Sequence, residues 1–182
     1  MDLGKIIQSA VLNSSQIKKE TNLDSGQLIK GLGTMVPEIL EKLQNNAKDP
    51  QSRRSLDEAL REHENDDVND PGRYLDRFNR QEAEKMSGHV FGKDQDEVLN
   101  RTKAKTGMDT DQAKKLMLMA VPLVMAYLAN HKKENNISEE DLPKETERLN
   151  KEHSGGILNS LKGILDKNND DNIIDDIIGF GK

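Results

Sequence analysis

The chain contains no cysteine. That absence removes disulfides, thiolate zinc sites and thiol nucleophiles together, and it suits a reducing compartment. Tryptophan is missing too, and two tyrosines and three phenylalanines are the only aromatic side chains of their class in 182 residues. Any core must therefore be packed from aliphatic side chains and from methionine, of which there are seven. Hydrophobic residues are scarce, at 33%, and equal in share to the charged ones. They are nonetheless gathered into periodic stretches, which separates this chain from a disordered composition. Positive charge does not dominate: the formal net charge is -6, which argues against general affinity for nucleic acid or anionic membrane. Long apolar runs are lacking as well. The longest, 116–129, is too short to span a bilayer and reads as a buried helix. The opening Met1-Asp2-Leu3-Gly4-Lys5-Ile6-Ile7 has no basic stretch ahead of an apolar one, so no secretory signal is expected. The expected setting is the cytoplasm, with no membrane span.

What is present is an internal repeat. Setting 21–45 against 106–130, an offset of 85, leaves eight of 25 positions identical: Thr21/Thr106, Asp24/Asp109, Gln27/Gln112, Lys30/Lys115, Val36/Val121, Pro37/Pro122, Leu43/Leu128 and Asn45/Asn130. The matches include a proline, a helix cap and the apolar positions, which points to a duplicated unit. Asp24-x-x-Gln27 and Asp109-x-x-Gln112 have the spacing of a capping box, in which each side chain bonds the other residue's backbone N–H. A shorter helix precedes each cap, at about 15–21 and 94–105. A long apolar-rich helix follows, at about 24–46 and 109–133, and each is expected to kink or divide at its proline. The second copy is apolar on every face through 116–129, which marks it as the central helix. The first carries Glu38, Glu41, Lys42 and Gln44 and should lie nearer the surface.

Further elements follow from the same signals. An amphipathic helix is predicted at 52–64 with Leu56, Ala59 and Leu60 inward, and a short one from Pro71 to about 78. Ser138-x-x-Asp141 starts a highly charged helix expected to be mostly solvated. Weak amphipathicity covers 155–165, an acidic loop 166–172, and an apolar ending 173–180. No period-2 alternation argues for a sheet. The prediction is an all-α fold: an orthogonal multihelical array built on a duplicated helix–turn–long-helix unit. It divides as 1–80, 81–135 and 136–182 within one compact domain.

One stretch of residues carries a resemblance. Ser87-Gly88-His89-Val90-Phe91-Gly92, then Gln95-Asp96-Glu97-Val98, Thr106-Gly107-Met108 and Val121-Pro122-Leu123-Val124-Met125-Ala126 resemble bacterial family 937 of the domains of unknown function, related to the YidB-like all-α proteins. Leu23-Asp24-Ser25-Gly26-Gln27, Val36-Pro37 and the Asp57…Leu60…His63 segment fit as well, and the likeness runs from about Leu3 to Phe180. The sequence departs from the family pattern at Glu64-Asn65-Asp66-Asp67, where a Gly-containing loop is usual, and in a longer, more charged stretch at 132–152. The resemblance implies a multihelical array. It implies no catalytic residues, because the family has no established activity.

Four weaker signals bear on function. The helix–turn–helix outline of 94–120 would present Asp109, Thr110 and Asp111 to DNA, and carboxylates repel phosphates. The segment Asp166-Lys167-Asn168-Asn169-Asp170-Asp171-Asn172-Ile173 places oxygen side chains at Asp166, Asn168 and Asp170, like the start of a calcium loop. Asn172 is a further oxygen donor. Asp171 stands where such loops carry glycine, and Ile177 where they carry glutamate, so affinity would be weak. The histidines His63, His89, His131 and His153 are scattered without zinc spacing, Glu62-His63-Glu64 reads as a solvated helix end, and Ser87-Gly88-His89 lacks a nucleophile-elbow context. Gly31-Leu32-Gly33 follows no strand and is no phosphate cradle. Finally, Leu3, Ile6, Ile7 and Ala10 at one end, and Ile173, Ile174, Ile177, Ile178 and Phe180 at the other, could dock on the core or meet a partner. The leading reading is a non-enzymatic scaffold or interaction module, self-associating or binding another protein. The second is a calcium-binding protein using Asp166, Asn168, Asp170 and Asn172, and the third a nucleic-acid binder. No other cofactor is expected.

Overall fold

The computed structural model describes residues 2–77 and 79–154, together with Ile157 and Leu161. Its helices begin where short polar side chains can satisfy free backbone N–H groups. Asp2, Ser14, Asp49, Asp70 and Asn79 cap α1 (Leu3–Asn13), α2 (Ser15–Thr21), α4 (Pro50–Glu62), α5 (Pro71–Asp76) and α6 (Arg80–Phe91), each side chain accepting a backbone hydrogen bond. Asp24 and Asp109 start α3 (Ser25–Lys48) and α8 (Thr110–Glu134), and both form the complete capping box with Gln27 and Gln112. A 3-10 turn (Gly92–Asp94) leads into α7 (Gln95–Thr106), and α9 is Leu142–Ser154. No strand occurs among the described residues, and the fold is all-α.

The two long helices share their local construction. Asn22 and Gly107, counterparts under the offset of 85, both turn the chain with left-handed backbones, at φ 52° and 74°. Thr21 and Thr106 each donate their hydroxyl to the carbonyl four residues back. Packing is reciprocal as well: α2 lies against α8, and α7 against α3. Gly31 and Leu116, also counterparts, meet where the long helices cross, for a Cβ on Gly31 would stand 2.5 Å from Leu116 Cδ2. The case for duplication rests on the sequence alignment; the structure adds likeness of construction. The prolines do not divide these helices: both run unbroken through Pro37 and Pro122. Buried side chains flank each proline, and their packing offsets the missing hydrogen bond.

Every residue of 116–129 is buried in α8, and α1 through α7 all pack against it. The apolar run by itself is short, but the 25-residue helix that carries it is long and apolar enough to cross a membrane. Burial explains that composition, since 83% of its most apolar window is covered by the protein. The N-terminal stripe is likewise consumed by the core, with Leu3, Ile6, Ile7, Ala10 and Val11 all buried.

α9 departs from the solvated helix expected there. Leu142, Thr146, Leu149 and His153 are buried at helical spacing, Ile157 and Leu161 continue the stripe, and α9 packs along α3. Its many charges occupy the remaining faces, where the pairs Lys151–Glu147 and Arg148–Glu152 lie. One buried residue per turn, alternately leucine and a polar side chain, is thus enough to seat a charged helix on an apolar neighbour.

The α9 seam also carries titratable groups. Tyr127 is buried, its hydroxyl 3.4 Å from His153 Nε2, with the rings edge-on. Burial, and then the Glu152 charge, pushes the Tyr127 phenol up to about 12. Burial also lowers His153 below its ordinary 6.5, against a smaller opposing pull from Glu152. Glu145 is held below the usual carboxylate range by its hydrogen bond from Arg148 and, more weakly, the one from His131. A depressed histidine binds protons better in the unfolded chain, so its contribution is intact above 6.5 and lost as pH falls below it. A depressed carboxylate adds its own loss further down, below 4.5. The melting temperature should therefore fall from pH 7.5 to pH 5, and circular-dichroism melts across that range would measure it. In His153→Phe the part of the decline just below pH 6.5 should flatten; an unchanged slope would place the titrating group elsewhere.

Candidate functional site

α4 and α6 both rest on α8 and leave a groove between them. Its floor is Met125 and Pro122 of α8, and its walls are Ser55, Glu58, Ala59 and Glu62 of α4 and Glu82, Met86 and His89 of α6, with the cap residue Asn79. Three hollows of about 240, 460 and 370 Å³ follow one another along it. The first two share Ser55, Ala59, His89 and Met125, and the last two share Asn79, Glu82 and Met86, so the groove is continuous. Its local cause is legible: α4 turns Leu56 and Leu60 inward, and Ala59 beside them is too small to fill the space over Met125.

One end of the groove is rigidly built. His63 Nδ1 donates to Asp66 Oδ2 at 2.9 Å, and the Tyr74 hydroxyl donates to the same oxygen at 3.1 Å. Asn130 of α8 donates to the Asp66 carbonyl at 3.0 Å and ties that loop down. Burial first, and the Asp66 charge second, raises the Tyr74 phenol far above its ordinary value, so it stays a donor. His63 Nε2 is left 3.8 Å from Glu82 Oε1. The groove's carboxylates are Glu58, Glu62, Asp66, Asp67, Asp70 and Glu82, against Arg73, Arg77 and Lys85, so its rim is acidic on balance.

α4 is anchored from below by a buried charge. Asp57 is 2% exposed, with Arg61 at 2.8 Å from Oδ2 and Lys132 of α8 at 3.0 Å from Oδ1. The Lys132 contact is not aligned as a hydrogen bond, so proximity of opposite charges is what holds it. At 3.0 Å that attraction is substantial in a buried setting.

The residues singled out in the sequence fall variously. Asp166, Asn168, Asp170 and Asn172 lie outside the described residues, as do 173–180. Among the described residues no group of three His, Asp or Glu side chains could hold a metal ion. The histidines are scattered in sequence but paired in the fold: His63 and His89 line the groove, while His131 and His153 flank Tyr127. His63 is buried instead of solvated, because the chain turns back at 63–70 and lays Asp66 and Tyr74 beside it. Ser87 is buried on α6 and His89 exposed, so they do not form a dyad. The end of α8 that a helix–turn–helix would present, Asp109, Thr110 and Asp111, is exposed, while 116–129 behind it is enclosed. The groove itself was missed in the sequence; the small, half-buried Ala59 between Leu56 and Leu60 was its one local sign.

The model of bacterial proteins of unknown function (DUF937) matches residues 7–131. The chain belongs to this family. No curated protein matches it, and no solved structure does. The DUF937 match is narrower than the resemblance read from the sequence: it takes in the helices that build the groove and stops before α9.

Proposed function

We propose that this DUF937 protein is a non-enzymatic interaction module, cytoplasmic as its lack of cysteine suggests, that receives a segment of another protein between α4 and α6. The continuous groove between α4 and α6 carries this reading. Among the described residues Leu12 is the one large hydrophobic side chain that stands exposed, and Met125 and Met86 lie at 2% and 7% exposure beneath the groove.

Photo-crosslinking tests the reading. A benzophenone amino acid placed at Ser55 or Lys85, both exposed on the groove walls, should trap one discrete protein in the native cell. The same group at Lys144, exposed on α9, should not. Equal adducts at all three positions, or none at the walls, would remove the groove as the recognition surface.

A further inference from the structure

Resting on that reading for its consequence alone, we infer that His63 is a proton-operated clasp that draws Glu82 across the groove and bars it. The residue is 8% exposed and sits where α4 ends. An ionised carboxylate can only accept, so the 2.9 Å bond to Asp66 puts the proton of neutral His63 on Nδ1. Tyr74 donates to the same Asp66 oxygen and Asn130 holds the Asp66 carbonyl, so the group that orients the ring is itself fixed. Nε2 then carries a lone pair and faces Glu82 Oε1 at 3.8 Å, acceptor to acceptor, with no hydrogen bond between them.

A proton on Nε2 reverses the sign of that contact. The imidazolium donates from both nitrogens, to Asp66 on one side and to Glu82 on the other. Histidine is the side chain that takes up such a proton between about pH 8 and pH 5. Asp66 belongs to the loop after α4 and Glu82 to α6, so the charged ring ties the two walls together. The Glu82 side chain is 54% exposed and has room to swing. It stands where the second and third hollows meet, so its closure divides the groove. The charges around the ring are mixed but acidic on balance. Glu58 and Glu62 of α4 stand across from Lys85 and His89 of α6, and α8 lines this hollow with Met125 alone. Lys133 of α8 reaches the neighbouring loop but binds Asn65 and Glu64 there. Arg73 and Arg77 line the third hollow, where Arg73 pairs with Asp70. A segment held in the groove at neutral pH would therefore be released as the pH falls.

The test is imidazole NMR on the full chain labelled with 15N and with no partner present, so its failure leaves the groove reading standing. At pH 8 His63 should show one protected N–H, on Nδ1. At pH 5 it should show a second, on Nε2, exchanging with water at least about tenfold more slowly than in Glu82→Gln. This comparison alters only an exposed side chain and so does not threaten the fold. Folding equilibria for His63→Gln, Glu82→Gln and the double variant should be coupled about threefold at pH 5 and not at pH 8. His89→Gln, which removes the other histidine of the hollow, should change neither result. Four outcomes would each overturn the clasp: a proton on Nε2 already at pH 8, equal Nε2–H exchange in the wild type and Glu82→Gln, a coupling that does not vary with pH, or a response that vanishes in His89→Gln.

Discussion

Asp57→Ala is expected to destabilise the protein by about 3 kcal/mol, the cost of stranding a buried ionic partner. Asp57 is nearly inaccessible, and Lys132, whose side chain is 15% exposed, would lose its closest opposite charge while staying enclosed beside α4. Arg61 matters less, because it reaches water and can be solvated once the carboxylate is gone. The comparison that decides the magnitude is with Arg80–Glu84 and Lys151–Glu147, both largely solvated, where a single truncation should cost well under about 1 kcal/mol. Urea unfolding of the variants would measure this. Asp57→Leu combined with Lys132→Met should recover most of the loss, since an apolar pair of similar volume avoids desolvating either charge. A cost below about 1 kcal/mol for Asp57→Ala would mean that packing alone holds α4 to α8. Because α4 is one wall of the groove, the same variant should also weaken whatever the groove binds.

Gly31→Leu should cost about 3 kcal/mol, from overpacking where the two long helices cross. A Cβ there would lie 2.5 Å from Leu116 Cδ2 and 2.5 Å from Met108 Cε. Met108 ends in a flexible thioether and can swing aside, but Leu116 is fully buried and has nowhere to go. Gly31→Ala is the informative companion. Its gain in helix propensity, about 1 kcal/mol, is opposed by the same two Cβ contacts at 2.5 Å, so alanine should still destabilise, though less than leucine, whose further atoms need more room. The rescue is specific. Leu116→Ala alone opens a cavity and destabilises, yet combined with Gly31→Leu it should cost clearly less than the sum of the two. Additive losses in thermal melts would show that the two positions do not share one space.

Much of the molecule was legible before the fold was known, for local reasons. Capping boxes at Asp24 and Asp109 depend on residues three apart, and both form as spaced. The burial of α8 follows from apolar residues on every face, which leaves no side for water. Family membership likewise rests on the order of residues within 7–131. What misled was also local. Glu62-His63-Glu64 looks solvated until the following loop folds back, and α9 looks solvated because its charges outnumber the one buried residue per turn.

The sequence by itself determined that the chain is helical, where most helices start, and which of them is central, because caps and periodicity act within a few residues. Only the tertiary structure decided that Gly31 must be small, that Asp57 is an interior anchor, and that α4 and α6 stand apart over Met125. Each of these depends on distances between residues far apart in the chain. Such distances are set by how helices of particular girth stack on one another, and no spacing along a single helix encodes them.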